Sequence, residues 1–336
     1  MDIRLLQKGD IPLAKALWKQ AFGDTDEFID WYFDNKVLPG QSLGMFDNGL
    51  ISVLHMLPFT VSVQHRPLLS AFIAGAATDI SRRGEGLMRT LLRESLALMK
   101  QRGILLTHLY PFKHEFYERL GWAAYSHVRK QSVTAASLNR HADVFETMDA
   151  SIIAPLYSKM MRGFDGYVVR AQREWDWRLG EMAVDGGKAA VLIENDAAQA
   201  YMLYYEKDGT ADVIETVYTD EAYVGGLLAW LFRQGCQKVK YNLPADRRGA
   251  KHGMARVVDT QALLKAFDAD ALLDHVSITD DLAPWNNVKA GALSMPVGEL
   301  ARFVHQGAAH FSDYMEGSRE LNQIFAPQTT CIFEAY

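Results

Sequence analysis

Apolar and polar residues follow two periods along this chain, and the period changes several times within the first forty residues. A short apolar run predicts a strand over residues 3–6. Helical spacing then begins after Asp10, a residue suited to capping a helix, and continues to about Phe22. A second helical pattern covers residues 24–36. The chain therefore opens with a strand and two helices.

The next sixty residues predict strands, a glycine-containing loop, a helix and a further strand. Residues 42–80 have strand character, and Asn48-Gly49 marks their first hairpin. From Gly86 to about Gln101, apolar residues recur at helical spacing. Residues 103–110 then form a buried apolar run typical of a strand. A short helix ending at Gly121 and a further strand over residues 123–134 are expected after it.

The middle of the chain repeats this order of elements. Residues 188–243 predict strand, strand, helix and strand, with the helix near residues 220–234. The segment before that helix has no arginine–glycine loop. We therefore expect a second unit of the same type in which the loop has been lost and the role is structural.

The last eighty residues predict a smaller group of elements. Two strands joined by a polar turn are expected within residues 276–295, a helix near residues 297–307 and a final strand over residues 329–336. Three residues of the polar turn are interpreted as turn and core residues rather than ligands: Asp280, Trp285 and Asn286.

Composition excludes several classes of protein. With 336 residues, 49% of them hydrophobic, the chain is long enough for two or three cores. A formal net charge of -6 argues against general nucleic-acid binding and favours cationic small molecules weakly. Cys236 and Cys331 form no disulfide framework, and no CxxC or HExxH spacing suggests a metal site. The start lacks the layout of a secretory signal and residues 68–77 are too short to span a bilayer, so we expect a cytoplasmic protein without a membrane partner.

The loop before the third helix carries the most informative pattern. Gly84 and Gly86 precede a helix N-terminus, whose unpaired amides and positive dipole end attract anions. Arg82 and Arg83 would add charge. The alternative is a left-handed turn with solvated arginines. The loop lacks GK[ST] and a full GxGxxG, which excludes a Walker A site and weakens a dinucleotide site.

Residues 83–88, Arg-Gly-Glu-Gly-Leu-Met, resemble the R/Q-x-x-G-x-G/A pyrophosphate loop of the GNAT N-acetyltransferases. Met88 departs from the usual glycine or alanine, a departure that resembles the Eis (enhanced intracellular survival) branch of multi-domain acetyltransferases. Further segments resemble that branch, in order along the chain: HEFYERLGWAAY (114–125), GMARVVDTQALLKAF (253–267), ITDDLAPWNN (278–287) and CIFEAY (331–336).

This resemblance implies an α+β fold with tandem GNAT-like domains, each a mixed central sheet flanked by helices, and a small sterol-carrier-like α+β domain. The domain boundaries that follow are a catalytic GNAT domain at 1–145, a second GNAT-like domain without the CoA loop at 146–252, and a short sterol-carrier-like domain at 253–336. The resemblance also implies a homo-oligomer. It implies one site per chain for acetyl-CoA as cosubstrate, without a metal.

The resemblance further implies which residues bind the cosubstrate. Strand-end amides would polarise the thioester carbonyl and the loop would hold the diphosphate. The residues expected to contact the cosubstrate are Ala76, Ala77, Thr78, Arg82, Arg83, Gly84, Glu85, Gly86, Leu87 and Met88.

Acetyl transfer also needs an acid and a base. Tyr117 matches the family's catalytic tyrosine, whose phenol, with a pKa near 10, would protonate the departing thiolate in a roughly thermoneutral step. Otherwise Tyr117 packs between helix and sheet. For the base, the resemblance implies the chain's terminal carboxylate, on Tyr336. Because the ending is one residue longer than usual, Glu334 remains an alternative base.

The amine acceptor is the least specified component. By resemblance, Asp24 and Trp31 would line its pocket, and Glu334 would lie there too. Alternatively, residues 24–36 form an amphipathic helix with its aromatic residues inward and its acids in water. The function expected is acetyl transfer to a primary amine of an aminoglycoside-like, polyamine or lysine-type acceptor. The alternative is a degenerate acyltransferase that binds small molecules or lipid, with Met88 blocking the loop.

Overall fold

A computed structural model describes residues 1–134, 143–291, 293–307 and 324–334 of the chain. The α-helices of these residues are, in chain order, α1 Ile11–Phe22, α2 Asp26–Asn35, α3 Leu87–Gln101, α4 His114–Glu118, α5 Ala150–Met161, α6 Gln172–Val184, α7 Val224–Arg233, α8 Thr260–Ala266 and α9 Val297–Gln306. Short 3-10 helices are Lys8–Asp10, Ile80–Arg82, Glu221–Tyr223, Asp270–Asp274 and Pro284–Asn286.

The strands complete the description. They are β1 Asp2–Leu5, β2 Ser42–Phe46, β3 Leu50–Val63, β4 Arg66–Thr78, β5 Leu106–Leu109, β6 Ala123–Ala124, β7 His127–Val133, β8 Asp143–Glu146, β9 Lys188–Glu194, β10 Ala197–Lys207, β11 Thr210–Tyr218, β12 Lys238–Ala245, β13 Ala250–Lys251, β14 Met254–Val257, β15 Val276–Thr279, β16 Val288–Lys289 and β17 Leu293–Pro296. The mixture of helices and sheets confirms the α+β class.

The described residues divide into two compact units. The first contains those of Met1–Tyr125, Lys251–Gln328 and Glu334–Tyr336, and the second contains those of Ser126–Ala250 and Thr329–Phe333. The three predicted domains stay a prediction, because contacts group most of the predicted third range with the first range.

The first unit is built on a seven-stranded sheet in the order β1-β2-β3-β4-β5-β14-β6. Its strands β4 and β5 are parallel, whereas β14 runs antiparallel to both β5 and β6. The predicted domain boundary near residue 253 falls at the start of β14, where Met254 opposes Leu109 on one side and Ala124 on the other. All four residues of β14 are buried, which favours a central position in a sheet.

Helix α3 confirms the helical pattern predicted after Gly86. Gly86 occupies the N-cap with a left-handed backbone (φ 79°), and the helix ends at Gln101. Leu91, Leu92 and Leu96 are fully buried in the core of the first unit. Burying such a side chain contributes about 2 kcal/mol, so packing of this face outweighs the intrinsic helix propensity.

A small sheet and a buried ion pair organise the C-terminal part of the first unit. The sheet has the order β16-β15-β17. Arg256 donates to Asp280 at 2.6 Å and to the Leu120 carbonyl at 2.9 Å, and both charged side chains are buried. Asp280 also accepts from Asn286, while Trp285 donates to the Val258 carbonyl. The interpretation of these three residues as turn and core residues is confirmed.

The second unit has its own seven-stranded sheet in the order β13-β7-β12-β11-β10-β9-β8. Strands β10 and β11 form a hairpin at Asp208-Gly209, both of which have positive φ, and α7 leads to β12. The predicted strand, strand, helix, strand repeat is thereby confirmed. Glu215 lies buried between Arg170 and Arg178 in this unit, at 2.8 and 3.1 Å.

The predicted final strand is wrong for the residues described there. Thr330 forms only an isolated parallel bridge with Asp165, and residues 331–334 belong to no strand. Cys331 and Phe333 instead fill the core of the second unit. Their apolar character therefore reflects burial without a continuous partner strand.

Within the described residues, no helix has the length and apolar character needed to cross a membrane.

Candidate active site

The loop between β4 and α3 contains two turns that only glycine adopts readily. Asp79 accepts a hydrogen bond from the Ser81 amide at 2.8 Å and begins the short helix Ile80–Arg82. Gly84 and Gly86 follow with φ of 87° and 79°, in the left-handed region. These glycines return the backbone toward the start of α3.

The backbone of this loop is open. Within the described residues, no amide from residue 83 to residue 89 donates a hydrogen bond to the protein. A Cβ placed on Gly84 or Gly86 would meet no atom within 4 Å. Bare amides at the positive end of a 15-residue helix attract an anion such as a diphosphate. The loop therefore fits the diphosphate of an acyl-CoA.

The two arginines of the loop differ in their surroundings. Arg82 donates to Glu85 at 2.8 Å and to Asp47 at 3.1 Å, and these bonds raise its pKa further above its usual value. Arg83 is exposed and donates to the Thr78 carbonyl at 3.3 Å. Arg82 and Glu85 thus bind each other and the β2–β3 turn. Of the pair, Arg83 is the arginine without a carboxylate partner in the described chain.

Leu87 and Met88 are the first two residues of α3, and both pack toward the core of the first unit. Leu87 is buried, and the half-buried Met88 packs against the same cluster of apolar residues. Because Met88 packs inward, its side chain does not cover the loop glycines.

Strand β4 is irregular where the carbonyl-polarising amides are predicted. Val53 opposes Ala77 and His55 opposes Ala74, so one residue of β3 faces two of β4, Gly75 and Ala76. This β-bulge has Gly75 at φ 56°. Ala77 is buried, whereas Ala76 and Thr78 are half-buried, and Thr78 bonds the Ser52 hydroxyl at 2.9 Å.

The bulge lies where β4 and β5 separate. These parallel strands pair over only three residues, Ser70–Phe72 with Leu106–His108. Beyond Phe72, the β5-side edge of β4 has no strand partner in the described part of the chain. An extended ligand can therefore approach the amides of that edge.

Tyr117 is placed on α4 in an aromatic group. Its side chain is 4% exposed and its ring lies 5.0 Å from Phe116, 5.7 Å from Phe112 and 5.9 Å from Trp122. Burial raises the pKa of Tyr117 to about 12. Its hydroxyl donates no hydrogen bond within the described residues. The phenol is therefore protonated and available at neutral pH.

The predicted acceptor residues Asp24 and Trp31 lie on the α1–α2 segment. Asp24 is half-buried and accepts a hydrogen bond from the Trp18 indole at 2.7 Å. Trp31 is half-buried, and the Lys36 ammonium lies 5.7 Å from its ring centre. Both side chains therefore already have a partner within the protein.

The two predicted residues at the chain end are described unequally. Glu334 is buried, with 2% of its surface exposed. Tyr336 lies outside the described residues.

Sequence reasoning missed Trp18, His55 and Gly75. Gly75 approaches the other two so closely that a Cβ there would lie 2.5 Å from the His55 ring and 3.0 Å from a carbon of the Trp18 ring. An isolated glycine inside a strand pattern is a signal for a bulge or a close approach, and it was present in the sequence.

Two parts of the chain match family models described as acetyltransferase (GNAT) domains. Residues 2–125 match one model and residues 166–254 match another. The chain therefore carries two GNAT acetyltransferase domains and is an acyltransferase. No protein of curated function shows significant sequence similarity to it.

Solved structures share the fold over the full length. A conserved protein of unknown function from Enterococcus faecalis V583, described as a probable N-acyltransferase, has a TM-score of 0.79 at 16% identity, covering 100% of this chain and 99% of its own. A GCN5-related N-acetyltransferase from Anabaena variabilis ATCC 29413 has a TM-score of 0.77 at 15% identity, covering 100% of both chains. Eis1 from Mycobacterium abscessus has a TM-score of 0.70 at 18% identity, also covering 100% of both.

The GNAT fold implies an acyl-CoA cosubstrate in general. The open loop before α3 and the unpaired edge of β4 fit such a molecule, because they offer amides to a diphosphate and to an extended arm. Within the described residues, no group of three or more His, Cys, Asp or Glu side chains is arranged to hold a metal ion.

Proposed function

We propose that the protein is an N-acetyltransferase that transfers acetyl from acetyl-CoA to a primary amine by direct attack in a ternary complex. The proposed acceptor is aminoglycoside-like, a polyamine or a lysine side chain. The observation that carries this proposal is the open loop at Gly84 and Gly86, next to the unpaired edge of β4.

The loop supports binding of the cosubstrate mainly through its backbone. Amides of residues 83–88 would hold the diphosphate, and Arg83 would add a charge at the rim. Arg82 and Glu85 would hold the loop in place through Asp47 rather than contact the phosphates. Ala76 and Ala77 would donate their amides to the thioester carbonyl, with Thr78, Leu87 and Met88 supporting the ends of the site.

Tyr117 would donate a proton to the departing thiolate while the amine forms the new bond to carbon. Its pKa of about 12 changes the expected energetics, since the step is no longer thermoneutral. A thiol of ordinary pKa near 8.5 lies about 3.5 units lower, so complete transfer is uphill by about 5 kcal/mol in the protein alone. A partial transfer, coupled to cleavage of the C–S bond, suits this phenol better than full ionisation.

The proposed base is a carboxylate, either that of Tyr336 at the chain terminus or that of Glu334. A carboxyl group of ordinary pKa lies about 6 units below an alkylammonium, a gap of about 8 kcal/mol. This gap narrows where burial raises the pKa of a carboxyl group. A water molecule that carries the proton from the amine to the carboxylate would also avoid the direct transfer.

The amine would be recognised by negative charge and an aromatic face. Asp24 has one oxygen bonded to Trp18, which leaves the second oxygen for a cation. Trp31 would contact the cation through its ring, as it does with Lys36 at 5.7 Å. Glu334 would contribute further negative charge.

Several finer features are part of the same proposal. We propose an Eis-like branch, with residues 253–336 as a short sterol-carrier-like domain, a homo-oligomeric assembly and a cytoplasmic location, without nucleic-acid or membrane partners. The small sheet β16-β15-β17 with α9 supports an α+β character for that part of the chain. Packing of Met88 against the core supports an open loop rather than one blocked by this side chain, as the degenerate binding module would have it.

The proposal is tested by release of free thiol from acetyl-CoA in the presence of a panel of primary amines. We expect amine-dependent release, with each acetylated product identified by mass. Binding of acetyl-CoA without release for any amine would contradict the proposed reaction, and absence of binding would contradict the role of the loop.

A further inference from the structure

The β4 bulge needs support from the face of the sheet that carries α1. Gly75 has φ 56°, a conformation that strains any other residue. Together with Ala76, it lies opposite a single residue of β3, Leu54, and so forms the bulge. The bulge stands three residues beyond Phe72, the last residue of β4 paired with β5. Nothing on the β5 side therefore fixes its conformation within the described chain.

Trp18 of α1 supplies that support. Its ring is 5% exposed and lies so close to Gly75 that a Cβ there would be 3.0 Å from one ring carbon. The ring is itself enclosed, with centroids 4.4 Å from Tyr32, 4.8 Å from Phe22 and 5.9 Å from His55. A movement of the indole would therefore move the backbone at Gly75.

Asp24 determines where the indole lies. Its carboxylate accepts a hydrogen bond from the Trp18 indole N–H at 2.7 Å. This N–H is the only polar group of the tryptophan side chain. Gly23 ends α1 with φ 76° and turns the chain so that Asp24 reaches back to Trp18. Loss of this acceptor would leave a largely buried N–H without a partner, which favours a different ring position.

We propose that Trp18 is a positioning residue for acetyl transfer: Asp24 holds its indole, and the indole fixes the Gly75 bulge that presents the amides of Ala76 and Ala77. This inference rests on the proposed function and assigns Asp24 a second role. The same carboxylate that meets the acceptor cation with one oxygen holds the carbonyl-polarising backbone through the other. Acceptor binding and carbonyl polarisation are thereby linked through one side chain.

The test compares Trp18→Phe with Trp285→Phe in the full chain. Each variant removes an indole N–H bond in the first unit, to Asp24 at 2.7 Å or to the Val258 carbonyl at 2.9 Å. We expect Trp18→Phe to lower kcat by about 10-fold while KM for acetyl-CoA changes less than about 2-fold. The reason is that the amides of Ala76 and Ala77 would be displaced but would still be present. We expect Trp285→Phe to leave both values unchanged.

A second measurement does not depend on turnover. Amide hydrogen exchange at Ala76 and Ala77, followed by NMR without cosubstrate, should accelerate in Trp18→Phe and not in Trp285→Phe. Asp24→Asn keeps an oxygen that accepts the indole proton, so exchange should stay at the wild-type rate, whereas Asp24→Leu should match Trp18→Phe.

Equal exchange rates and equal kcat in the two tryptophan variants would overturn the inference. Equal acceleration in Asp24→Asn and Asp24→Leu would overturn the role given to the hydrogen bond. Failure of the wild-type protein to consume acetyl-CoA with any amine defeats the proposed function instead, and the exchange comparison still decides whether Trp18 fixes the bulge.

Discussion

In both GNAT units the parallel strands pair over only three residues, but the backbone amides before the connecting helix differ in their hydrogen bonding. Strands β4 and β5 pair over three residues, and β11 and β12 also pair over three, Thr210–Asp212 with Lys238–Lys240. Before α3, Gly84 and Gly86 leave the amides bare. Before α7, Asp220 accepts the Ala222 amide at 2.8 Å, and the Tyr223 hydroxyl binds Glu194.

The short parallel pairing is thus common to both units, whereas the availability of the amides before the helix is not. Before α7, the amides of Ala222, Tyr223 and Val224 already donate to Asp220 or Glu221, so they are not open to a phosphate as the amides of residues 83–89 are. The second unit therefore retains the GNAT fold, with the amides before this helix already paired. Fold and function separate within a single chain.

The largest expected effect concerns the buried charges of the second unit. Burial alone would raise the pKa of Glu215, but Arg170 and Arg178 outweigh it and lower the pKa to about 2. Glu215→Gln should reduce the free energy of unfolding by about 4 kcal/mol, because two buried guanidinium groups lose their carboxylate. Chemical denaturation at neutral pH measures this loss. The control Glu206→Gln, in an exposed pair with Lys188, should cost less than about 1 kcal/mol.

The same pKa shift predicts a pH dependence with a definite sign. The folded pKa of Glu215 lies below its ordinary value of 4.5, so its stabilisation is present above that value and is lost as pH falls toward 2. The stability difference between wild type and Glu215→Gln should therefore shrink on acidification. A constant difference down to pH 2 would contradict the structural role of this carboxylate.

Tyr117→Phe should lower kcat by about 100-fold with little change in stability, because the hydroxyl has no described protein partner to lose. Steady-state kinetics and thermal unfolding measure the two effects. The matched control is Tyr204→Phe, a buried tyrosine of the second unit, which should leave kcat unchanged. Because burial raises the pKa of Tyr117 to about 12, kcat should show no loss from its ionisation between pH 7 and 10. An undiminished kcat would remove Tyr117 from the reaction.

Gly84→Asp would place a further carboxylate in the first loop, directly among its bare amides. Aspartate tolerates a left-handed backbone better than most residues, so the fold should persist. We expect the dissociation constant for acetyl-CoA, measured by calorimetry, to rise by about 30-fold, because the carboxylate repels phosphate and competes for the amides. Gly84→Asn has a similar shape without the charge and should weaken binding much less. Equal effects of the two variants would mean that charge does not distinguish the loops.

Asp220→Ala should give the smallest effect. Removing this cap should cost about 1 kcal/mol of stability, read as a lower midpoint in chemical denaturation. It should create no second site for acetyl-CoA, since Glu221 and Glu194 remain near the start of α7. Binding of two equivalents of acetyl-CoA per chain, measured by calorimetry, would show that Asp220 alone prevents anions from binding at this helix.

Prediction from sequence succeeded where a pattern is local. The helix after Gly86 and the repeat over residues 188–243 followed from periodicity, since one buried face imposes a period. The final strand failed because Cys331 and Phe333 are apolar for core packing, without a ladder partner. The pairing of β14 with β5 was not predictable, because residues 254 and 109 are far apart in sequence.

Local features of the candidate site were likewise predictable from the sequence, whereas features that depend on distant residues were not. Glycines in the loop before α3 identified a backbone conformation directly, because only glycine adopts φ near 80° without strain. The different surroundings of Arg82 and Arg83 were not predictable, since one of the two carboxylates that bind Arg82 lies 35 residues away at Asp47. The raised pKa of Tyr117 was likewise invisible, because it depends on burial among residues brought together by folding.

By itself, the sequence determined those helices and strands that have a clear local period, the repeat of elements in the middle of the chain and the glycine conformation in the loop before α3, since periodicity and backbone sterics act over a few residues. Tertiary structure decided which amides stay unpaired, which carboxylates neutralise which arginines and how Trp18 meets Gly75. Hydrogen bonding and burial depend on distances in space, and those distances are set only when remote segments pack together.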